Sequence, residues 1–289
     1  VEPRFSLVVD SCCDLPSDTI HDLGVEVLHF PYTLKGEEHI DDFGGSLPHG
    51  EFYDAMRAGE QPTTAQIPMH AFVDVFERAA AEGRSLVYLG FSSQLSGTFD
   101  VAHLARADVL SRHPDADIRV IDTLAASAAE GVLVYEAARR WRDGATADEL
   151  EAWIAEQRPR LHGYFIIDDL ETLRRGGRLS GTAAAAGALL DVKPLLTITT
   201  DGRLELKRNF RGRVKATRAL VDLFEQHRDG QGGTVAIAHG DCAEDAGRLA
   251  AMLAEKTGVS VDLTMDVGPV IGAHTGPGML ALVFWGEAH

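Results

Sequence analysis

Cysteine is scarce in this sequence: there are three residues in 289, of which Cys12 and Cys13 are adjacent and Cys242 is distant. No CxxC pair or His-rich spacing accompanies them, so neither a disulfide framework nor a metal site is expected, and a reducing, cytoplasmic setting fits best. Basic residues are also in short supply. Lys and Arg number 27 against 44 Asp and Glu, a formal net charge of −17, which disfavours a nucleic-acid or anionic-membrane partner recognised by general charge, and with it a transcriptional regulator. Long apolar runs are missing. The longest candidate, 183–190, is far too short to cross a bilayer, and the opening VEPRFSLVVD lacks the apolar stretch and cleavage site of a signal peptide. There is no GxxxxGK[ST], no convincing GxGxxG after a strand and no evident Mg²⁺ carboxylate cluster, which disfavours a nucleotide binder or phosphoryl-transfer enzyme.

What is present is ordinary for a globular chain, with 45% hydrophobic and 25% charged residues and enough length for two cores. The most informative stretch is 89–99, LGFSSQLSGTF. The apolar run 86–89 reads as a buried strand, and Val101, Leu104, Ala105 and Val109 recur at helical spacing after it. The stretch is therefore a strand-to-helix turn, where a strand's carboxyl end and a helix's free N–H groups face one crevice and suit an anion. Ser92, Ser93, Ser96 and Thr98 add hydroxyls, Gly97 permits close approach, and no carboxylate lies between Gly90 and Thr98. A plain Ser/Thr helix cap is the competing reading.

The same rules give a strand at 5–9, a helix opened by Asp14-Leu15-Pro16-Ser17, a strand at 25–32 and a hairpin turned by Lys35-Gly36-Glu37. PTTAQIP, 62–68, is a hydroxyl-presenting loop. Helices at 71–81 and 125–141 alternate with strands at 86–89 and 118–121, which implies a parallel sheet. Thr146 and Glu149 form a capping box. The domain boundary is expected between an N-terminal α/β domain, 1–159, and a C-terminal α/β domain, 160–289. In the second, Asp201-Gly202 signals a hairpin, 243–257 is helical, 259–263 and 279–285 are strands, and GPVIGAHTGPG is a Gly-rich loop.

Positive charge is unevenly spread. Eleven Lys or Arg against three acids fall between Arg174 and Arg218, which fits a docking face for an acidic or phosphorylated partner; a solvated hairpin and helix is the plainer reading.

Six stretches occur in order: VVDSCCDLP, PTTAQIP, SSQLSGTF, IDTLAASAAEG, LETLRRGGRLSG and GAHTGPG. Together they resemble the DegV family across essentially the whole chain. The resemblance implies two α/β domains with a lipid-binding cleft or tunnel between them. It implies a long-chain fatty acid as ligand, its carboxylate presented to a separate ATP-dependent fatty acid kinase subunit that makes an acyl phosphate for phospholipid synthesis. On that resemblance the chain is a non-catalytic carrier without cofactor, catalytic residue or metal. Thr64 stands at the family's carboxylate-binding Thr, Ser96 at the Ser of SGT and His274 at the His of GxHxGPG, with Ser93 a second candidate in its loop. Arg175 and Arg178 match the RGGR arginines, and Arg211 the Arg before a Gly in the following hairpin; these resemble partner-docking residues. Ala65 and Ile67 depart from the usual Ser and Pro, and Cys12-Cys13 from Thr-Ala, the cysteines changing packing near the headgroup more than chemistry. The small-residue run 182–190 with 194–198 is expected to form one tunnel wall.

Read by their chemistry, Thr64, Ser96 and His274 are neutral or switchable donors suited to a carboxylate. His239, ending a strand before Gly240-Asp241, reads as a packed or capping residue. The enzyme alternative is a serine hydrolase of a lipid or small ester, with Ser93 or Ser96, Asp122 and His274 in a permitted chain order; the absence of GxSxG counts against it.

Overall fold

The computed structural model describes residues 4–168, 170–179 and 191–288. In chain order its strands are β1 (Ser6–Asp10), β2 (Glu26–Leu28), β3 (Pro31–Leu34), β4 (Glu37–Ile40), β5 (Thr63–Thr64), β6 (Leu86–Gly90), β7 (Ile118–Asp122), β8 (Leu161–Ile166), β9 (Val192–Ile198), β10 (Leu204–Arg211), β11 (Ala236–His239), β12 (Leu263–Asp266) and β13 (Leu280–Trp285). The helices are α1 (Ser17–Leu23), α2 (His49–Arg57), α3 (Met69–Ala81), α4 (Thr98–Arg112), α5 (Ala128–Arg142), α6 (Ala147–Gln157), α7 (Glu171–Arg175), α8 (Arg213–His227), α9 (Ala243–Thr257) and α10 (Pro269–Thr275).

The fold is mixed α/β. A four-stranded parallel sheet runs β2-β1-β6-β7, and its central β6 is buried along its whole length, as a strand covered on both faces must be. The chain goes from β1 to one side and later returns to the other. The carboxyl ends of β1 and β6 therefore flank a topological switch point, where α/β sheets open a crevice. A six-stranded sheet, β10-β9-β8-β13-β11-β12, is antiparallel except for the β11–β12 pair. A small antiparallel sheet, β4-β3-β5, completes the set.

Helix α5 joins the layers. It packs against β1 of the parallel sheet and against β8, β11 and β13 of the larger one, so its Val132, Leu133, Val134, Ala137 and Ala138 are all buried. A helix apolar on several faces is what such a shared position requires. The core around it is continuous across both sheets, from Val8 and Leu89 through Val132 to Phe165 and Val283. The opposite face of the larger sheet is covered by α8 and α9, with Tyr164, Leu220, Leu249 and Phe284 between.

Several expectations change in the structure. The run 25–32 is two strands in two sheets: Pro31, which has no N–H to continue a ladder, begins β3 after a break at His29-Phe30. The strand expected at 259–263 is β12, starting only at Leu263. The Gly-rich segment holds a helix, α10, with Pro269 in its first turn, so His274 is helical rather than on a loop. The expected tunnel wall 182–190 lies outside the described residues.

Candidate functional site

A cavity of about 220 Å³ lies between the two sheets. One wall is the inner face of the larger sheet. Ala281 and Val283 alternate along β13 onto that face and stand beside Phe165 and Gly163 of β8, because residues two apart share a sheet face. The start of α5 supplies Ala128 and Ala129 opposite, with Phe30 and Phe91 from the first sheet's crevice. Alanine and glycine leave space here between layers that larger side chains would pack solid.

One end of the cavity is polar, formed by Thr64, Gln66, Ser96, Arg178 and His274. Thr64 is held by β5, whose register sets it opposite Tyr32 of β3, and His274 by the last turn of α10. Thr64 Oγ1 and His274 Nε2 are 2.9 Å apart. Burial, aided by the Arg178 guanidinium, pushes the His274 pKa down to about 4, so the ring is neutral at pH 7. Its Nδ1 is buried without a partner among the described residues. An orphaned buried N–H is rarer than an unfilled lone pair, so we assign Nε2 as the protonated nitrogen, donating to Thr64. The Thr64 hydroxyl proton is then free to point at a ligand.

The RGGR turn builds this end. A Cβ on Gly176 would lie 2.2 Å from His274 Nδ1, so only glycine accommodates the ring. Gly177, at φ +71°, turns the chain back through the left-handed region. Arg178 Nε then donates to the Leu95 carbonyl at 3.1 Å and its Nη1 to the Gly176 carbonyl at 2.5 Å. Arg178 is thus half-buried and lines the polar end of the cavity, beside the docking role that the resemblance implies for it. Arg175 and Arg211 are exposed and form no ion pair among the described residues.

Ser96 serves the cavity and the helix start together: its hydroxyl accepts the Thr98 N–H at 3.2 Å and donates to Thr98 Oγ1 at 3.0 Å. Thr98 Oγ1 in turn accepts the Ile67 N–H at 3.3 Å, tying the two hydroxyl loops together. Ser93 is not among the lining residues, which corrects its expected place beside the carboxylate. The tight turn from Ser92 to Ser96 sends Ser92 Oγ to the Gly202 carbonyl at 2.8 Å. It also sets Ser93 beside Asp122 and Gln94. His239 is buried at the end of β11, 3.5 Å from Asp266 and away from the cavity.

Four buried carboxyl groups behind the cavity are the feature that sequence reasoning missed. Ser127 lines the cavity in a strained conformation, φ 52° and ψ −137°, and donates to Asp14 Oδ2 at 2.5 Å; Asp14 Oδ1 accepts the Gly268 N–H at 2.9 Å. Desolvation raises Asp14 to about 7 and Asp10 to about 6. It raises Asp41 and Glu130 well above the usual carboxylate range. Asp10 accepts from the Tyr88 hydroxyl and the Phe91 and Cys12 amides. Glu130 is buried beside it, and neither of its carboxyl oxygens has a hydrogen-bond partner among the described residues. The only sequence signal was acids placed straight after apolar runs, in VVD and AAEG. Cys12 and Cys13 are buried beside this cluster with their thiol pKa pushed up, which leaves them inert as nucleophiles.

Among the described residues no Ser–His–Asp relay is assembled. His274 Nε2 meets Thr64, its Nδ1 meets no carboxylate, and Asp122 Oδ1 is taken by the Leu124 and Ser93 amides. Among the described residues no group of three or more His, Cys, Asp or Glu is placed to hold a metal ion, and no helix is long and apolar enough to cross a membrane.

Fold and cavity together define an α/β protein with an apolar interlayer cleft capped by neutral and cationic donors at one end. The chain belongs to the DegV family: the family model described as "uncharacterised protein, DegV family" matches residues 4–287. A DegV domain-containing protein of Clostridium perfringens is 40% identical over 285 residues, covering 98% of each chain. Among solved structures, a DegV family protein from Thermus thermophilus described as fatty acid binding has a TM-score of 0.85 at 29% identity, covering 98% of this chain and 100% of the other. A fatty acid binding DegV family protein from Streptococcus agalactiae has a TM-score of 0.85 at 28% identity over 99% of each chain.

Proposed function

We propose that this protein binds a long-chain fatty acid and presents its carboxylate to a separate ATP-dependent kinase that forms the acyl phosphate. The observation that carries the reading is the division of one cavity into a long apolar part and a polar end holding Thr64, Ser96, His274 and Arg178. A volume of about 220 Å³ exceeds the ~150 Å³ cavity that admits a benzene-sized guest. Burial of about fourteen methylenes at ~0.8 kcal/mol each contributes roughly 11 kcal/mol gross, before ordering and association costs. The polar end fixes which end of the chain faces out, and Arg178 supplies the positive charge that a neutral His274 does not. Gln66 and Ala65 are exposed at that end, so a bound carboxylate there stays within reach of a partner.

Docking is proposed for Arg175 and Arg211, both exposed, with β10 as the open edge of its sheet. Basic residues on an edge strand also discourage strand-to-strand aggregation, so the two roles need separating. Two experiments do this. Denaturing mass spectrometry of an organic extract should reveal a co-purified long-chain fatty acid; an empty protein that takes up none when offered one overturns the carrier reading. Charge reversal at Arg175 and Arg211 should impair acyl-phosphate formation with the kinase while leaving fatty acid binding intact; unchanged acyl-phosphate formation would remove the docking assignment.

A further inference from the structure

The loop that carries Thr64 also carries Gln66, and both residues line the polar end of the cavity. The backbone on either side of Gln66 is fixed. The Ala65 N–H donates to the Pro31 carbonyl at 3.2 Å, the Ile67 N–H to Thr98 Oγ1 at 3.3 Å, and the Ile67 side chain is fully buried. Only the Gln66 side chain is left free. It is exposed, and its carboxamide makes no hydrogen bond among the described residues. What seats it is a gap over Gly97, just ahead of α4, where an added Cβ would lie 2.0 Å from Gln66 Nε2 and 3.2 Å from its Cδ. The backbone does not call for glycine: φ there is −76°, so no left-handed turn demands it, and capping of α4 would be served by Ser, Asp or Asn. Room for the carboxamide is what glycine alone supplies. The same device seats His274, whose ring fills the space that a Cβ on Gly176 would take. His274, however, is buried and bonded to Thr64, whereas Gln66 is exposed and unbonded. One is fixed and the other can leave.

We propose that Gln66 is a movable cover over the ligand's carboxylate, its carboxamide donating to the bound headgroup at rest and swinging off Gly97 when the kinase approaches. This rests on the fatty acid reading above and names the residue that decides when the headgroup is open to solvent and partner. The chemistry of the side chain fits the task. A Lys would hold the carboxylate by its charge and a Glu would repel it, whereas a carboxamide offers a neutral donor that is readily given up. Because the flanking amides stay bonded, the cover moves without the loop.

The test loads delipidated protein with palmitate isotopically labelled at its carboxyl carbon. Affinity is read by calorimetry, and exposure of the bound carboxyl by the relaxation that a neutral gadolinium chelate in the solvent induces in its magnetic resonance signal. Gln66→Ala should increase that relaxation and weaken binding about tenfold, the loss of one hydrogen bond to a charged group. Gly97→Ala should do the same, since its methyl displaces the far end of a flexible side chain and leaves Gln66 itself unaltered. In the double variant the two losses should not add, because both remove one cover. Additive losses, or unchanged relaxation in Gln66→Ala, would overturn the cover and leave the carrier reading standing. Gln66 is exposed, so its variant answers the question even if Gly97→Ala folds poorly. Failure of the unaltered protein to bind palmitate would instead overturn the carrier reading itself.

Discussion

Replacing Gly176 by alanine should lower fatty acid affinity by about two to three orders of magnitude. The added methyl would stand 2.2 Å from His274 Nδ1, closer than any real contact, and its obstacle is a ring held in place by Thr64. The ring must move, and with it go the Nε2–Thr64 bond and the alignment of both donors toward a carboxylate. Hydrogen bonds to a charged group contribute ~1.5–3 kcal/mol each, so losing two accounts for the fall. The neighbouring glycine is the control. At Gly177 nothing lies within 4 Å of the added methyl, and only the left-handed φ of +71° is offended. Gly177→Ala should therefore destabilise the fold by roughly 1–2 kcal/mol while changing affinity little. Calorimetric titration with a fatty acid, alongside thermal melting of both variants, separates the two effects. Wild-type affinity in Gly176→Ala would mean that His274 does not contact the ligand.

Stability should decline as pH rises above 6.5, opposite to the behaviour of a protein whose buried carboxylates are ion-paired. Asp10, Asp14, Asp41 and Glu130 all have folded-state pKa values above their unfolded ones. The folded protein therefore keeps protons that the unfolded chain has released. Each group still protonated in the fold removes ~1.4 kcal/mol of stability per pH unit between its unfolded and folded pKa. His274, lowered to about 4, and His49, also lowered by burial, act in the other sense: they add stability as pH rises to their unfolded value near ~6.5, and nothing further above it. Below pH 6.5 the two effects oppose each other. Above it the Asp10 contribution is complete and that of Asp14 ends at about 7, so Asp41 and Glu130 carry the remaining decline. Urea unfolding at three pH values measures the slope. Glu130→Gln, which keeps the side chain's size but cannot titrate, should flatten it; an identical slope in the variant would place the titration elsewhere.

How much of this was legible beforehand follows from where each signal resides. The strand–loop–helix around 89–99, the Thr146–Glu149 capping box and the Asp201-Gly202 hairpin are decided by neighbours in sequence, and all three occur as read. The division of 25–32 between two sheets depends on β1, β4 and β5 as pairing partners, and the helix through GPVIGAHT on partners more than two hundred residues away. Tyr53, for example, packs under Gly272 and donates to the Val267 carbonyl. Local propensity carries no trace of such a partner. In the site, hydroxyls and a histidine could be recognised by type, and Thr64, Ser96 and His274 do share the cavity's polar end. Ser93 and Arg178 could not be oriented from sequence, since each depends on which way a tight turn faces. The buried acids were hidden by the ordinary expectation that charge stays in water.

One arrangement bears on how the protein comes to exist at all. Strand β13 follows every other element named above, yet it occupies the interior of the larger sheet, between β8 and β11. Until residue 285 has left the ribosome, those two strands have no neighbour to bridge them, and each shows a bare, sticky flank to the crowded cell. The second half of the molecule can therefore mature only after translation has passed that point. Any premature stop upstream of β13 would yield a fragment destined for chaperones or proteases rather than a partly working protein.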